Sequence, residues 1–270
     1  MNYKLLIPKS IKPFLKKVYY QYVLSNPFYG AVPPNHTIFI GDGDFEAVGK
    51  MIFEQLIRGG GLKPTDKLLD VGSGMGRIAL PMVDFFKDGG SYDGLEIVWR
   101  GLEWCQKKYA KYTNFKFTHA DVYNFHYNPL GKTKASEYHF PYEDNTFDFV
   151  FLTSVFTHMM PLDVENYLKE ISRVLKPKGT SFVTYYILDE KNLNLVKSKK
   201  SDSRLDFKFD HGIYSLVNDN DPEAVIGYKL DYLENIYAKN NLHIEKPLKF
   251  GSWSGREDFF SFQDVIIGRK

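Results

Sequence analysis

One cysteine, Cys105, stands among 270 residues. A disulfide within the chain and a cysteine-built metal cluster are therefore excluded. No apolar run approaches the ~20 residues that cross a bilayer as a helix. No stretch reads as a secretory leader, so a reducing cytoplasm is the expected setting. Charge of one sign is also lacking: 35 Lys and Arg face 33 Asp and Glu, a formal net charge of +2. So small a surplus supplies no field for holding a polyanion, and nucleic acid is not an expected partner.

What is there is apolar substance and order. Hydrophobic residues make up 43% of the chain, enough for a sizeable core, and lengths near ~250 residues commonly form one α/β domain. Residues 1–43 read as an N-terminal helical arm. Ile11, Phe14, Leu15, Val18, Tyr19, Tyr22 and Val23 recur at helical spacing, with Lys12, Lys16 and Lys17 on other faces, the pattern of an amphipathic helix. Such a helix either packs on its own domain or serves as a lid or a weak membrane-surface contact, and the pattern leaves both open. VPPN at Val32–Asn35 and IGDGDF at Ile40–Phe45 read as turns before a second helical pattern in Val48, Met51, Ile52 and Leu56.

Residues 44–270 read as one domain. Strand-like runs near Lys67–Val71, Tyr92–Ile97, Phe115–Ala120, Phe147–Thr153 and Thr180–Ile187 alternate with helical patterns such as Leu162–Leu175, which the KPKG turn at Lys176–Gly179 ends. That alternation predicts βαβ units and a parallel sheet. Then come a polar insert at about 188–223, a helix near Tyr228–Lys239, and two strand-like runs, Leu242–Phe250 and Phe259–Ile267, joined by GSWSGRED as a hairpin.

The chemistry enters at LLDVGSGMGRIAL, Leu68–Leu80. A buried strand carrying Asp70 turns through Gly72, Gly74 and Gly76 into an expected helix, and glycine lets bare backbone approach a ligand. Glu96 follows 20 residues beyond Gly76 at the end of the next strand. A carboxylate there can accept hydrogen bonds from both hydroxyls of a ribose. Together these residues call for an adenosine-containing ligand.

Over about residues 40–270 the sequence resembles the class I S-adenosylmethionine-dependent methyltransferases. An acidic residue followed by closely alternating glycines matches the family's first motif, whereas dinucleotide folds space the last two glycines more widely. The resemblance implies an α/β, Rossmann-like fold: a seven-stranded, mostly parallel sheet with helices on both faces and a C-terminal antiparallel hairpin. It also implies S-adenosyl-L-methionine as donor and S-adenosyl-L-homocysteine as product. Carried over, Asp70 and the loop through Gly72, Ser73, Gly74, Gly76 and Arg77 would surround the methionine part of the donor. Glu96 and Ile97 would hold the ribose, Asp121 and Val122 in THADV the adenine, and Thr153 would complete the donor set. Taken alone, Asp121 reads as an ordinary turn aspartate after a strand. The stretches FPYEDNTFDFVFLTSVFTHM and YLKEISRVLKPKGTSFVT resemble the family's fourth and fifth strands with the helix between them.

Methyl transfer requires an acceptor atom in line with the sulfonium carbon and, for a neutral hydroxyl, a base. His158, in SVFTHM just past the fourth strand, is the candidate, since similar sugar and natural-product O-methyltransferases carry a histidine there. The other reading is that it packs against the following helix. His119 lies in an expected strand, and His36, His126, His139 and His243 occupy no recognised station. The fourth strand ends in LTSVF, Leu152–Phe156, without the acid that Mg²⁺-dependent catechol-type enzymes use, so no metal is expected. The Asn/Asp-Pro-Pro-aromatic tetrad of nucleobase amino-methyltransferases is missing as well.

The acceptor has to be read from the insert and the hairpin, which offer Tyr214, His211, Trp253 and Arg256, with Gln263 and Asp264 beside them. An exposed Trp beside an Arg suits a sugar face plus an anionic group. Alternatively Trp253 closes the core. The run Lys197, Lys199 and Lys200 reads as a solvated loop. The whole chain is similar to bacterial methyltransferases of surface-polysaccharide and secondary-metabolite genes. That likeness implies O-methylation of a carbohydrate or small phosphorylated precursor of a surface glycan such as a capsule. The rival readings are a quinone or lipid-like phenol as acceptor, and a donor-binding scaffold without transfer.

Overall fold

The computed structural model describes residues 18, 19, 22, 24, 30, 32–41 and 43–270. The helical face expected at Ile11, Phe14, Leu15 and Val23 lies outside the described residues. Val18, Tyr19, Tyr22 and Leu24 are helical; the first three are exposed and Leu24 is buried.

The central strand, β1 (Lys67–Val71), is buried throughout its last four positions because both of its faces are covered, and three of the four are apolar. Leu69 and Val71 enter one core and Leu68 the other. Around it run β2 (Ser91–Glu96), β3 (Phe115–His119), β4 (Phe147–Leu152) and β5 (Leu175–Tyr185), all parallel. Two later strands, β10 (His243–Ile244) and β11 (Asp264–Arg269), complete a seven-stranded sheet in the order β10-β11-β5-β4-β1-β2-β3. Within it β11 is antiparallel to both β5 and β10. One face is covered by α1 (Phe45–Gln55) and α2 (Trp99–Lys108). The other is covered by α3 (Pro161–Val174) and α5 (Leu230–Lys239). After β3 the chain returns across the sheet to β4, and such a reversal opens a crevice at the carboxyl ends of β1 and β4.

The insert is more structured than its polar composition suggests. It contains α4 (Glu190–Lys197) and the short strands β6 (Ile187–Leu188), β7 (Phe209–Asp210) and β8 (Tyr214–Leu216). With β9 (Ile226–Lys229) these strands form a second sheet in the order β6-β9-β8-β7. Beneath it lies a separate small core of Tyr186, Leu188, Leu205, Phe207 and Trp253.

Four local expectations are corrected. No α-helix follows the glycine loop. Residues 72–86 form turns with one 3-10 turn, Leu80–Met82, since Pro81 lacks the N–H that would bond the Arg77 carbonyl. KPKG does not precede β5 but bulges from its start, with Lys178 at φ 68° and the register jumping between Phe147↔Leu175 and Phe149↔Thr180. Tyr228 belongs to β9 rather than to a helix. The terminal hairpin forms a ladder only at His243 and Ile244, with one further antiparallel bridge from Lys249 to Val265, because the rest of 245–263 folds as a long connection with a 3-10 turn at Ser252–Ser254.

Candidate active site

The parallel strands deliver their connections to one edge, and the residues picked out in the sequence gather there. Asp70 is buried near the end of β1. Its Oδ2 accepts a hydrogen bond from the Tyr92 hydroxyl, while Oδ1 has no protein partner among the described residues. Burial pushes this carboxyl up to about 8; the Tyr92 bond opposes the shift, and Glu96 adds to it. Glu96 ends β2 equally buried. Its carboxyl accepts from the backbone N–H of Gly74 at 2.5 Å and of Val98 at 2.6 Å. Burial pushes it up to about 7 in spite of these bonds.

The glycine loop is clamped from two sides. Gly72 and Gly74 have φ of 88° and 59°, left-handed values that disfavour other residues. A Cβ on Gly72 would lie 2.6 Å from Val155 Cγ2, and one on Gly74 would lie 2.8 Å from Ile40 Cγ2. The loop therefore sits between the connection after β4 and the segment at residue 40. Ser73 Oγ, like Asp70 Oδ1, is buried without a partner among the described residues. Buried polar atoms with unused bonding capacity fit a polar ligand at this loop, which is what an aminoacyl nucleoside donor would bring. Arg77 is engaged elsewhere: its Nη2 donates to the carbonyls of Ile40 at 3.0 Å and Gly41 at 3.1 Å, tying that segment to the loop.

The remaining donor candidates line the same edge. The Ile97 carbonyl lies 3.2 Å from His119 Nε2, and Trp99 stands edge-on to the His119 ring. Asp121 follows β3 half-exposed, 3.7 Å from Lys132 Nζ. Val122 is buried and bridges to Thr133. Thr153, half-buried, follows β4. The next residue, Ser154, which sequence reasoning missed, has φ 56°. Its N–H donates to Thr184 Oγ1 at 2.8 Å and its hydroxyl to Gln263 Oε1 at 3.1 Å. Strained backbone of this kind concentrates at functional sites.

His158 lies in the turn between β4 and α3. Its Nδ1 is 3.0 Å from the Glu223 carbonyl. A carbonyl only accepts, so Nδ1 carries the proton and Nε2 presents the lone pair in the neutral ring. Burial lowers its pKa, and bonds to Glu223 and Ala224 partly offset the shift. The Tyr127 ring stands edge-on to it at 6.0 Å, within the electrostatic reach of Glu96. Neither Tyr127 nor Glu223 carries a local sequence signal, since each acts through a residue far along the chain.

Of the two readings of Trp253, exposed beside Arg256 or closing the core, the structure has the second, and Arg256 is buried as well. The Trp253 indole N–H donates to Asp264 Oδ2 at 2.7 Å. Arg256 donates from Nε to Asn192 Oδ1 and from Nη2 to Asp189 Oδ2, each at 2.6 Å, and stacks 3.7 Å over the Phe250 ring. His211 stacks on Tyr214 at 4.9 Å and bonds Asp219 at 2.7 Å. Among the described residues no group of His, Cys, Asp and Glu is arranged to hold a metal ion, and no helix is long and apolar enough to cross a membrane. Two surface depressions, about 360 Å³ beside α4 and about 420 Å³ at Lys67, Ser91 and Asp93, lie away from these residues.

A Rossmann-like sheet with an acidic strand end, a glycine loop and an acid ending the next strand is an arrangement that could hold a nucleoside-containing ligand. Residues 69–183 match the family model described as a methyltransferase domain. The matched segment runs from β1 into β5 and takes in Asp70, the glycine loop, Glu96, Asp121 and His158, so the likeness to methyltransferases rests on the part of the chain that carries these residues. The chain is 32% identical over 130 residues to a sterol 24-C-methyltransferase of Schizosaccharomyces pombe. The match covers 48% of this chain and only 30% of the yeast protein. A solved protein of Pyrococcus horikoshii OT3 superposes with TM-score 0.54 at 18% identity, over 92% of this chain and 98% of its own. The 1,6-didemethyltoxoflavin-N1-methyltransferase of Burkholderia thailandensis, solved with 1,6-didemethyltoxoflavin and S-adenosylhomocysteine, gives TM-score 0.54 at 14% identity, over 100% of this chain and 93% of its own. These two likenesses are of fold.

Proposed function

We propose that the protein transfers a methyl group from S-adenosylmethionine to a hydroxyl of an apolar, lipid-like or phenolic acceptor, with His158 as general base and without a metal. The carrying observation is the character of the edge where the site lies. Trp99, Tyr123, Phe125 and Tyr127 follow β2 and β3, Phe259 and Phe262 precede β11, and all six are exposed. Exposed aromatic rings distributed along that edge suit an apolar ligand with a polar tip.

The donor brings an already activated methyl group, so the protein's part is to position the acceptor and receive its proton. A hydroxyl is barely ionised near neutrality, and a positioned base contributes roughly 10²–10⁴-fold. Because burial lowers the pKa of His158, its ring is neutral and able to accept a proton at pH 7. Activity is then present above that pKa and lost as pH falls through it. Asp70, the glycine loop, Glu96 and Asp121 would hold the donor.

O-methylation of a carbohydrate or phosphorylated glycan precursor is the weaker reading. It depended on an open Trp253 face and a free Arg256, and both side chains are buried among partners. The sterol methyltransferase relative agrees with an apolar acceptor.

Donor-turnover assays against phenols, quinols and long-chain alcohols, set beside sugar nucleotides and phosphosugars, test the proposal. The expected result is turnover of an apolar hydroxyl, unchanged by EDTA and reduced about 10²-fold or more by His158→Ala. Turnover confined to sugar or phosphate acceptors, with His158→Ala within a few-fold of wild type, contradicts it.

A further inference from the structure

The connection between β8 and β9, Val217–Val225, is closed at its neck by the Val217 N–H on the Val225 carbonyl at 3.4 Å. Its tip, Asn218 to Glu223, reads NDNDPE and contains no apolar residue other than Pro222. This tip is fastened to the connection after β3. One carboxylate oxygen of Glu223 accepts from Asn124 Nδ2 at 2.8 Å and from the Phe125 N–H at 3.1 Å. Asp221 Oδ1 lies 2.8 Å from His126 Nε2. The Glu223 carbonyl receives His158 Nδ1 at 3.0 Å.

Topology makes this clasp a roof. The second sheet hangs from the end of β5, whereas the Asn124–Tyr127 turn follows β3, and β4, β1 and β2 lie between those strands. A contact joining the two therefore passes over the carboxyl ends of β4, β1 and β2, where His158, Asp70 and Glu96 stand. The fastenings are polar; His126 and Asp221 keep 34% and 32% of their side-chain surface exposed. Contacts of that kind are individually weak and reversible. Phe125 and Tyr127 ride on the same clasped turn, and Asn124 Oδ1 shapes it by accepting from the N–H of His126 and of Tyr127.

We propose that Val217–Val225 is the lid of the active site and that Glu223 is a positioning residue: its carboxylate holds the lid shut, and its carbonyl then fixes His158 with Nε2 free to accept a proton. The role of the lid rests on the reading of His158 as the base. The charged and titratable groups facing His158 are Glu223, His126 and Tyr127. When the lid is released His158 is rehydrated, so a pKa depressed by burial rises toward the ordinary histidine value. Glutamine at 223 retains an oxygen that can accept both N–H groups, whereas alanine does not.

The test is a histidine NMR titration of the full chain for wild type, Glu223→Ala and Glu223→Gln, with amide exchange read at residues 120–131. Glu223→Ala is expected to raise the His158 pKa and to speed exchange by about ten-fold or more; Glu223→Gln is expected to restore both. Asp221→Ala, at the exposed end of the clasp, is expected to move both readouts the same way by less, and decides the matter should Glu223→Ala not fold. Titration and exchange that stay at wild-type values in the alanine variants overturn the lid. If they move as expected while His158→Ala leaves methyl transfer intact, the lid stands and the assignment of the base fails.

Discussion

The proposed donor half and the proposed acceptor half of this molecule are built by different kinds of contact. At the donor loop the defining bonds join residues close in sequence: Tyr92 to Asp70 and Gly74 to Glu96, each 22 residues apart. At the acceptor side they join residues 65 to 99 apart, as in His158 to Glu223 and Asn124 to Glu223. The donor half also buries its carboxyls at the ends of strands that the central sheet holds rigid. The proposed acceptor half rests on a small second sheet that packs Ile187, Leu216, Ile226 and Tyr228 into the main core and covers a small core of its own on the other face, and it reaches across the site through polar bonds. A nucleoside donor is the same molecule in every turnover and suits a fixed cradle. An acceptor that must enter and leave suits a wall that opens.

If the two halves are energetically separate, the largest effect on stability comes from the acceptor side. Trp253 is fully buried against Tyr186 and Phe207, and its N–H is held by Asp264. Trp253→Ala should cost about 3–5 kcal/mol and yet leave donor affinity within a few-fold in protein that remains folded. Thermal melts paired with donor titration check this. Equal loss of donor binding would merge the halves.

A smaller effect is expected from the opposite side. Removing the carboxyl that would hold the ribose, by Glu96→Ala, should weaken donor binding by about 1.5–3 kcal/mol, the value of hydrogen bonds to a charged group. The His158 titration should not move. A shift in both would show that Glu96, through Tyr127, also governs the acceptor side.

The same contrast explains what the sequence disclosed. The five parallel strands fall within a residue or two of their apolar runs, except that β5 begins at Leu175, just before the KPKG bulge. Asp70, the glycines and Glu96 were legible because a strand, a turn and the next strand place them by short-range rules. The missing helix after Gly76 was signalled by Pro81 and outweighed by the motif's usual shape. Trp253 and Arg256 were ambiguous because exposure depends on partners elsewhere in the chain: Asp264 for the indole, Asp189 and Asn192 for the guanidinium. Ser154 was invisible because a left-handed serine carries no compositional mark. Glu223 and Tyr127 meet His158 only after two sheets have folded.

The central claim is that a pair of buried carboxyls forms the cradle of a sulfonium nucleoside, and it has a proton signature. Asp70 and Glu96 are raised by burial to about 8 and about 7, so in the free protein they hold protons over much of the neutral range. A donor that gives hydrogen bonds to, or brings positive charge to, their ionised forms must expel those protons on binding. Affinity then rises with pH through about 7 and 8, and falls where both groups are protonated. The direct measurement is calorimetric titration of S-adenosylmethionine and S-adenosylhomocysteine at pH 6 and pH 8, in buffers of low and high ionisation enthalpy. Tighter binding at pH 8, with a buffer-dependent heat that reports proton release, is the result expected. Absence of affinity for both compounds at either pH, or binding of NAD in their place, would contradict the account.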